Sequence, residues 1–274
     1  MKAAPRTEAW NAAILISFAA ITVLPIVGIV LLSLQPVDAP LSGFALPDRL
    51  HFENYARAFD VAHFGSYLKS SLIVSSAVVV GTVVVSTLAG YAFGTMRFAG
   101  ENVLFYLLLT GLVIPFEAVI VPLYVELRAG NLTNSYWSVV LPLIGTNSAF
   151  GTFWMRAYFR SVPRQLIEAA AMDGAGSMRV LCKVLLPAAR PALLTLVVLV
   201  FMWSWNEFLL PLVMLSREDL RTAPLGLAFF TGRYTTDLVG MAAAAVMVAL
   251  PVVVLYVATH RRFVHGMWVG ALKQ

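Results

Sequence analysis

The sequence is poor in charged residues. Only 12% of its 274 residues are charged, whereas 60% are hydrophobic, and an ordinary soluble domain carries about 25% charged residues. So few polar groups cannot cover a water-facing surface on a chain of this length. The composition therefore excludes an ordinary soluble enzyme or binding module and indicates a protein embedded in lipid.

Cysteine, metal-binding patterns and nucleotide-binding motifs are also scarce. Cys182 is the only cysteine, which excludes an intrachain disulfide and a cysteine-rich metal or iron–sulfur site. The four histidines form no HExxH pair, and no phosphate-binding loop of the form G-x-x-x-x-G-K followed by Ser or Thr occurs. We therefore expect this chain to bind no metal and no other cofactor.

Long apolar runs are what the sequence has in abundance. A helix that spans a bilayer needs about 20 mostly apolar residues, and six segments reach that length. They are interrupted mainly by Gly, Ser, Thr and Pro, which membrane helices tolerate. We predict an all-α membrane protein, one transmembrane domain over residues 1–274, with spans at 12–34, 71–94, 103–127, 136–159, 192–215 and 239–260.

The basic residues predict the orientation of these spans. With the N-terminus inside, 12 of the 19 Lys and Arg residues lie on the inner side, and cytoplasmic loops carry such an excess. We therefore expect both termini in the cytoplasm. The bases are spread over loops, without a basic face interleaved with aromatics, so we expect no nucleic-acid partner.

Two further features concern the first spans. Lys2 and Arg6 precede the first span as they would in a signal peptide, but its apolar part exceeds the usual length of about 7–15 residues. We expect it to be retained. In the long outer loop that follows, residues 51–60 predict a short surface helix.

The inner loop between the fourth and fifth spans, residues 160–191, is the most informative segment. Pro163 is a helix-start signal, and residues 164–172 are good helix formers with three alanines. Gly174 supplies the left-handed residue that commonly ends a helix. A first short helix followed by a sharp turn is therefore predicted.

A second short helix is predicted at residues 177–186, with a stop at Pro187. Spacing of i, i+3, i+4 and i+7 predicts one apolar face, made of Met178, Leu181, Cys182 and Leu185. Together the two helices form a cytoplasmic helix–turn–helix on the membrane surface, with small residues and cations suited to an acidic partner. Spacing alone fits a generic amphipathic interfacial hairpin equally well.

The residues of this loop resemble a known motif. Glu168-Ala169-Ala170, Asp173-Gly174-Ala175 and Leu186-Pro187 stand at the distances of the EAA loop of ABC-importer permeases. Gly176 stands where that family often has Ser. The resemblance implies that the two helices sit in a cleft of an ATP-binding subunit and transmit its closure to the spans. The implied coupling residues are Glu168, Ala169, Ala170, Asp173, Gly174, Ala175 and Pro187.

Motifs elsewhere resemble the carbohydrate branch of this family, and its maltose-permease-G-like subunit, over nearly the whole chain. The resemblance implies a type I ABC-importer permease fold. The motifs are Asn54-Tyr55, Ala89-Gly90-Tyr91-Ala92-Phe93, Pro115, Pro122-Leu123-Tyr124, Trp205-Asn206-Glu207-Phe208, Pro211-Leu212 and the tail at 266–273.

The resemblance also implies a function and an assembly. The chain is expected to be the non-catalytic permease subunit of a binding-protein-dependent carbohydrate importer in a prokaryotic cell membrane, where it forms half of the translocation pathway. Expected partners are a second homologous permease, a dimer of ATP-binding subunits that hold ATP and magnesium, an extracytoplasmic solute-binding protein, and membrane lipid.

Other functions remain open at this point. One is an importer of the same type for glycerol phosphate or another polar solute. An ion-coupled secondary transporter would use Glu117 and Glu207 as relay groups, although the EAA loop opposes it. A membrane-anchored structural protein is a third possibility.

Polar residues within or near apolar spans are candidates for the solute path. Ionisable groups in lipid are costly and usually face a cavity or a partner, and carboxylates and amides bind sugar hydroxyls. The alternative is that they bond neighbouring helices, and the indole is as consistent with packing as with stacking on a sugar. The candidates are Glu117, Asn147, Trp205, Asn206 and Glu207.

A stripe of small residues predicts where the second span packs closely on another helix. Small side chains let membrane helices approach each other without a hydrophobic driving force. The stripe, at i, i+4 spacing, consists of Thr82, Ser86, Gly90 and Gly94.

Overall fold

The computed structural model describes residues 5–37, 46–47, 49–61, 63–232 and 236–271, with side chains except at 5–9 and 261–271. Lys2, the side chain of Arg6 and the side chains of the tail motif at 266–273 therefore lie outside the described residues. The α-helices are α1 (Pro5–Ser33), α2 (Glu53–Val61), α3 (Phe64–Thr95), α4 (Glu101–Thr110), α5 (Phe116–Ala129), α6 (Trp137–Ser161), α7 (Arg164–Met172), α8 (Ser177–Val180), α9 (Leu186–Ala188), α10 (Arg190–Asn206), α11 (Leu209–Met214), α12 (Ala223–Gly226) and α13 (Leu238–Ala271).

The architecture of the described residues is helical throughout. A π-helical turn, Leu181–Leu185, links α8 to α9, and two short 3-10 helices follow α11. The pairing between Thr231 and Thr236 is an isolated bridge outside any strand. The prediction of an all-α protein is confirmed.

Apolar helices of membrane-spanning length occur at three of the predicted spans. Within the described part of the chain they are Trp10–Ser33, Phe64–Thr95 and Leu238–His260. A fourth candidate is the bent pair Ser177–Ala188 and Arg190–Asn206, if the two are counted as one broken span. Helix α6 covers the predicted span at 136–159.

Two predicted spans are divided in the structure. The span predicted at 103–127 consists of α4 and α5, and the residues between them include Pro115, whose ring disfavours helix in the residue before it. The span predicted at 192–215 is divided at Glu207, which is extended (ψ 124°). Pro211 explains this break, because its ring would clash with the Glu207 carbonyl in a continuous helix. Each of these two predicted spans therefore consists of two helices, and the count of six spans stays a prediction.

Contacts group the chain into two compact units. The first comprises Met1–Gly65 with Gly226–Leu250, and the second comprises Ser66–Leu225 with Pro251–Gln274. The single transmembrane domain over residues 1–274 stays a prediction.

Helix α2 organises the first unit and confirms the short helix predicted at 51–60. Its buried Asn54 amide donates to the carbonyls of Ser33 at 3.0 Å and Gln35 at 2.8 Å. Arg57 forms an ion pair of 2.9 Å with Asp237, whose carboxylate also accepts the Gly240 N–H at 2.8 Å. Asn54 and Arg57 thus hold α2 to the end of α1 and the start of α13.

The second unit contains the main hydrophobic core, where α3 and α6 pack closely. A Cβ placed on Gly90 would lie 2.6 Å from the Met155 Cβ, and one on Gly94 would lie 2.9 Å from the Phe159 Cβ. A Cβ on Gly151 of α6 would in turn meet the side chain of Ser86. The predicted small-residue stripe is therefore confirmed as a helix-packing surface at these positions.

Candidate functional site

The first helix of the loop at 160–191 forms where the sequence predicts it. Helix α7 spans Arg164–Met172 and starts directly after Pro163. Gly174 has φ +76°, and the Gly174 N–H donates to the Ala171 carbonyl at 3.0 Å while the Ala175 N–H donates to the Ala170 carbonyl at 3.0 Å. This pair of bonds is the Schellman motif. It fixes the direction in which the chain leaves α7.

The second helix extends further than predicted. It passes from α8 through the π turn to α9 and ends at Ala188, so the predicted stop at Pro187 is wrong. In a regular α-helix the Pro187 ring would clash with the carbonyl of Lys183. The wider π turn, in which the Leu186 N–H donates to the Leu181 carbonyl, opens the helix directly before the proline and relieves that clash.

The buried face of the second helix also differs from the prediction. Leu181 and Leu185 are buried as predicted, but Met178 and Cys182 are exposed, and Val180 takes part in the core. The prediction assumed 3.6 residues per turn throughout, whereas the π turn at Leu181–Leu185 has more, which accounts for the change at Cys182. Met178 and Val180 precede the π turn, and it does not explain their positions.

Several apolar side chains of the loop are exposed. The exposed fractions are 88% for Met172, 62% for Met178 and 43% for Leu166, and Cys182 is exposed as well. Glu168, Ala169, Asp173, Gly174 and Pro187 are also exposed, whereas Ala170 and Ala175 are half-buried and pack against the core. Exposed apolar side chains that form a patch are typical of a protein–protein contact.

Aromatic side chains from two long helices hold the second helix at both ends. The Tyr91 hydroxyl of α3 donates to the Ser177 carbonyl at 3.2 Å, and the Tyr158 hydroxyl of α6 donates to the Ala188 carbonyl at 2.7 Å. The Trp154 ring N–H donates to the Ala192 carbonyl of α10 at 3.0 Å. Sequence reasoning did not assign these roles, although a polar tip on an aromatic ring in an apolar helix is a signal for such a bond.

The second helix meets α10 at a sharp bend. The two axes are 79° apart across Ala189, which is fully buried. Pro191 lies in the first turn of α10, where proline starts a helix but does not continue one. The second helix and α10 are therefore joined through a single residue, Ala189.

The comparison with known proteins identifies the family. Residues 83–268 match the family described as "Binding-protein-dependent transport system inner membrane component". The chain belongs to this family. It is therefore a membrane permease component of an ABC transporter, in a family of transport components that works in general with a partner ATPase and a solute-binding protein.

Several relatives of this permease match over most of their length. It is 31% identical to the diacetylchitobiose uptake permease NgcG of Streptomyces coelicolor, over 98% of this chain and 90% of that one. It is 33% identical to the arabinooligosaccharide permease AraQ of Halalkalibacterium halodurans, over 92% of each chain. It is also 32% identical to the sn-glycerol-3-phosphate permease UgpE of Shigella flexneri, over 75% of this chain and 73% of that one.

A solved structure shows the same fold. The permease matches a chain of a bacterial ABC transporter involved in the import of the acidic polysaccharide alginate, with a TM-score of 0.82 and 22% identity over 96% of this chain and 99% of that chain. The type I ABC permease fold is therefore confirmed.

Three of the solute-path candidates of the permease, Glu117, Asn206 and Glu207, lie at helix breaks. Glu117 is exposed in the first turn of α5, directly after the break that ends at Pro115. Asn206 is the last residue of α10, and its exposed amide donates to the Met202 carbonyl at 2.8 Å. Glu207 accepts the Leu210 N–H at 3.0 Å and so caps the start of α11.

The other two candidates, Trp205 and Asn147, contact residues of their own helices. Trp205 is 2% exposed and stacks on Phe201 with ring centroids 5.3 Å apart. The half-buried Asn147 amide donates to the Leu143 carbonyl of its own helix at 2.8 Å. A role in the solute path stays a prediction for all five candidates.

Proposed function

We propose that this chain is one of two permease subunits of an ATP-driven carbohydrate importer and that its loop at 160–191 couples it to the ATPase. The observation that carries the coupling role is the division of this loop into two faces. One face is bonded to α3, α6 and α10, whereas the other presents Met172, Met178 and Glu168 outward. A partner that grips the outer face moves the helices attached to the inner face.

The likeness to oligosaccharide permeases supports a carbohydrate solute. Two relatives named for oligosaccharide uptake match over at least nine-tenths of this chain. Oligosaccharides are recognised by amides, carboxylates and aromatic faces, which is the chemistry of the residues at the helix breaks.

The helix breaks support a place for the solute path. Residues 111–115 are all exposed, and the exposed fraction of Val113 is 81%. Backbone that is not helical is tolerated at membrane depth only where protein or a water-filled cavity satisfies it. We infer that this break and the one at Glu207 face the translocation pathway, with Glu117 and Asn206 beside it.

The proposed assembly has both termini in the cytoplasm of a prokaryotic cell and pairs this chain with a second homologous permease. Only 6% of the 18-residue apolar stretch of α1 is buried. This helix therefore offers its surface to lipid or to the second permease. ATP and magnesium are held by the ATPase dimer, and this chain binds no cofactor. Closure of the ATPases draws the loops inward and opens the pathway to the outside, where the binding protein delivers its solute.

Reconstitution tests the proposed function. The complete transporter is placed in proteoliposomes with its binding protein, and uptake of labelled diacetylchitobiose and arabino-oligosaccharides is measured with ATP and with ion gradients collapsed. We expect ATP-dependent uptake of one of these sugars. Uptake that survives ATP depletion and is lost with the gradient would show a secondary transporter instead.

A glycerol phosphate importer is the second candidate, because UgpE is also a relative. Two of the residues near the breaks, Glu117 and Glu207, are carboxylates, which repel a phosphate and favour a neutral, hydroxyl-rich solute. Calorimetry of the cognate binding protein with sn-glycerol-3-phosphate and with the sugars separates the two candidates.

A further inference from the structure

The second unit contains a large cleft beside the start of the coupling loop. Its volume is about 1200 Å³, and it lies between the turn that joins α3 to α4 and the segment that joins α6 to α7. Residues 93–103 form one wall, and Phe159, Arg160, Val162, Arg164, Ile167 and Glu168 form the other.

The cleft carries three exposed arginines. Arg97, Arg160 and Arg164 are exposed, and none of them takes part in an ion pair in the described part of the chain. The acidic groups of the cleft are Glu101 and Glu168. The lining therefore has an excess of positive charge and suits an anion with several oxygens, because guanidinium groups bind phosphate in a bidentate manner.

Aromatic rings pack together at the cleft, and Phe93 and Phe98 belong to its lining. The centre of the Phe93 ring lies 5.6 Å from that of Phe98 and 5.6 Å from that of Phe105. A fourth arginine, Arg156, has its guanidinium 3.7 Å from the Phe105 ring centre, and its Nε donates to the Phe93 carbonyl at 3.2 Å. Arg156 is thus occupied by these contacts, and the other three arginines are the ones offered to a ligand.

An apolar surface begins at the edge of the cleft. Val103, which lines it, is 72% exposed, and Tyr106 and Leu107 one turn further along α4 are 65% and 64% exposed. Spacing of i, i+3 and i+4 places these three side chains on one face of the helix. A cationic cleft that continues into an apolar helix face matches the two chemical parts of a phospholipid.

We propose that this cleft binds the phosphate headgroup of an anionic phospholipid, with its acyl chains along Val103, Tyr106 and Leu107. The proposal rests on the proposed orientation, which puts the cleft at the cytoplasmic leaflet. Basic pockets between membrane helices on that side are suited to anionic headgroups. The lipid would bridge α4 and the start of the coupling loop.

Retention of lipid by the purified transporter tests the proposal. The complex of permease and ATPase is purified from nanodiscs made of phosphatidylcholine with a minor share of phosphatidylglycerol. Native mass spectrometry then measures how much phosphatidylglycerol remains bound to the complex. We expect the single variants Arg97→Gln and Arg164→Gln each to weaken retention roughly tenfold, since each removes charge-assisted bonds to phosphate, and the triple variant with Arg160→Gln to abolish it. Arg179→Gln, an exposed arginine of the same loop outside the cleft, is the matched control and retains the lipid.

Three outcomes would overturn the proposal. Full retention of the lipid by Arg97→Gln and by the triple variant would show that the arginines do not bind it. Displacement of the lipid by inorganic phosphate would show a simple anion site, and lipid binding only when the ATPase is removed would show an ATPase contact. The single variant at Arg97, in an exposed turn, serves if the triple variant unfolds. Sugar uptake by the wild-type complex is measured in parallel. Lipid retention without ATP-driven uptake would refute the proposed function while leaving the lipid site standing.

Discussion

At the scale of single residues, Gly174 shows most clearly how sequence chemistry positions the coupling loop. Its φ of +76° is open to glycine and strained for other residues, and two backbone bonds depend on the turn that it makes. The Asp-Gly pair in the sequence predicts this turn because few other residues end a helix in the left-handed conformation.

Gly174→Val tests the turn without a steric complication. A Cβ at Gly174 would have no atom within 4 Å, so the substitution costs only backbone strain, about 1–3 kcal/mol. We expect normal insertion into the membrane but a severalfold loss of solute transported per ATP hydrolysed in proteoliposomes. Gly176→Val is the matched control, since Gly176 has equally open space and an ordinary φ of −69°. Equal coupling in the two variants would contradict the role of the turn.

Glu168 is the exposed carboxylate of α7 and is expected to meet the ATPase. Glu168→Lys reverses its charge at the proposed contact, so pull-down of the ATPase with the solubilised permease should fall about tenfold or more. Glu126→Lys makes the same charge change at an exposed position of α5, outside the loop, and should leave pull-down unchanged. Undiminished attachment of the ATPase to the Glu168→Lys permease would refute the contact.

At the scale of elements, local sequence signals predict where a helix starts and ends better than whether a long helix is continuous. Pro163 and Gly174 bound α7 at the predicted residues because start and stop chemistry is local. The apolar pattern of the sequence does not predict the breaks at Pro115 and Glu207. A span is identified by the average hydropathy of about 20 residues, and a short non-helical interruption with the same hydropathy does not change that average. Cys182 was placed on the wrong face because spacing rules assume a regular α-helix and do not include the π turn that precedes Pro187.

The packing of α3 on α6 is tested at Gly90. Gly90→Ala places a Cβ 2.6 Å from the Met155 Cβ, an overlap that the two helices relieve only by moving apart, at about 1–3 kcal/mol. We expect a lower melting temperature of the detergent-solubilised permease. Gly145→Ala on α6, where a Cβ meets no atom within 4 Å, should not lower it. A melting temperature of Gly90→Ala equal to the wild type would argue against this close approach.

The aromatic anchors of the second helix are tested at Tyr158. Tyr158→Phe removes the 2.7 Å bond to the Ala188 carbonyl and keeps the ring, with an expected cost of about 1 kcal/mol. We expect reduced solute transport per ATP with unchanged ATPase attachment, because the loop still docks but is held less firmly to α6. Tyr256→Phe, at an exposed tyrosine of α13, is the control, and equal transport per ATP in both variants would contradict the anchoring role.

At the scale of the whole molecule, composition and resemblance predict the class, whereas the structure supplies the connections. The low charge and long apolar runs predict a membrane protein, and the EAA residues predict the family that the comparison confirms. The bonds from Tyr91 and Tyr158 to the second helix and from Trp154 to α10 could not be predicted, because they join residues between 30 and 86 positions apart in the sequence.

The exposure of Cys182 to a membrane-impermeant maleimide tests the central claim most directly. As the only cysteine of the chain, it reports the coupling loop alone, and it lies on the exposed face. Labelling is compared in sealed right-side-out and inside-out vesicles, with and without the bound ATPase. The account predicts labelling only in inside-out vesicles and protection there by the ATPase. Labelling from the outside, or equal labelling with and without the ATPase, would contradict it.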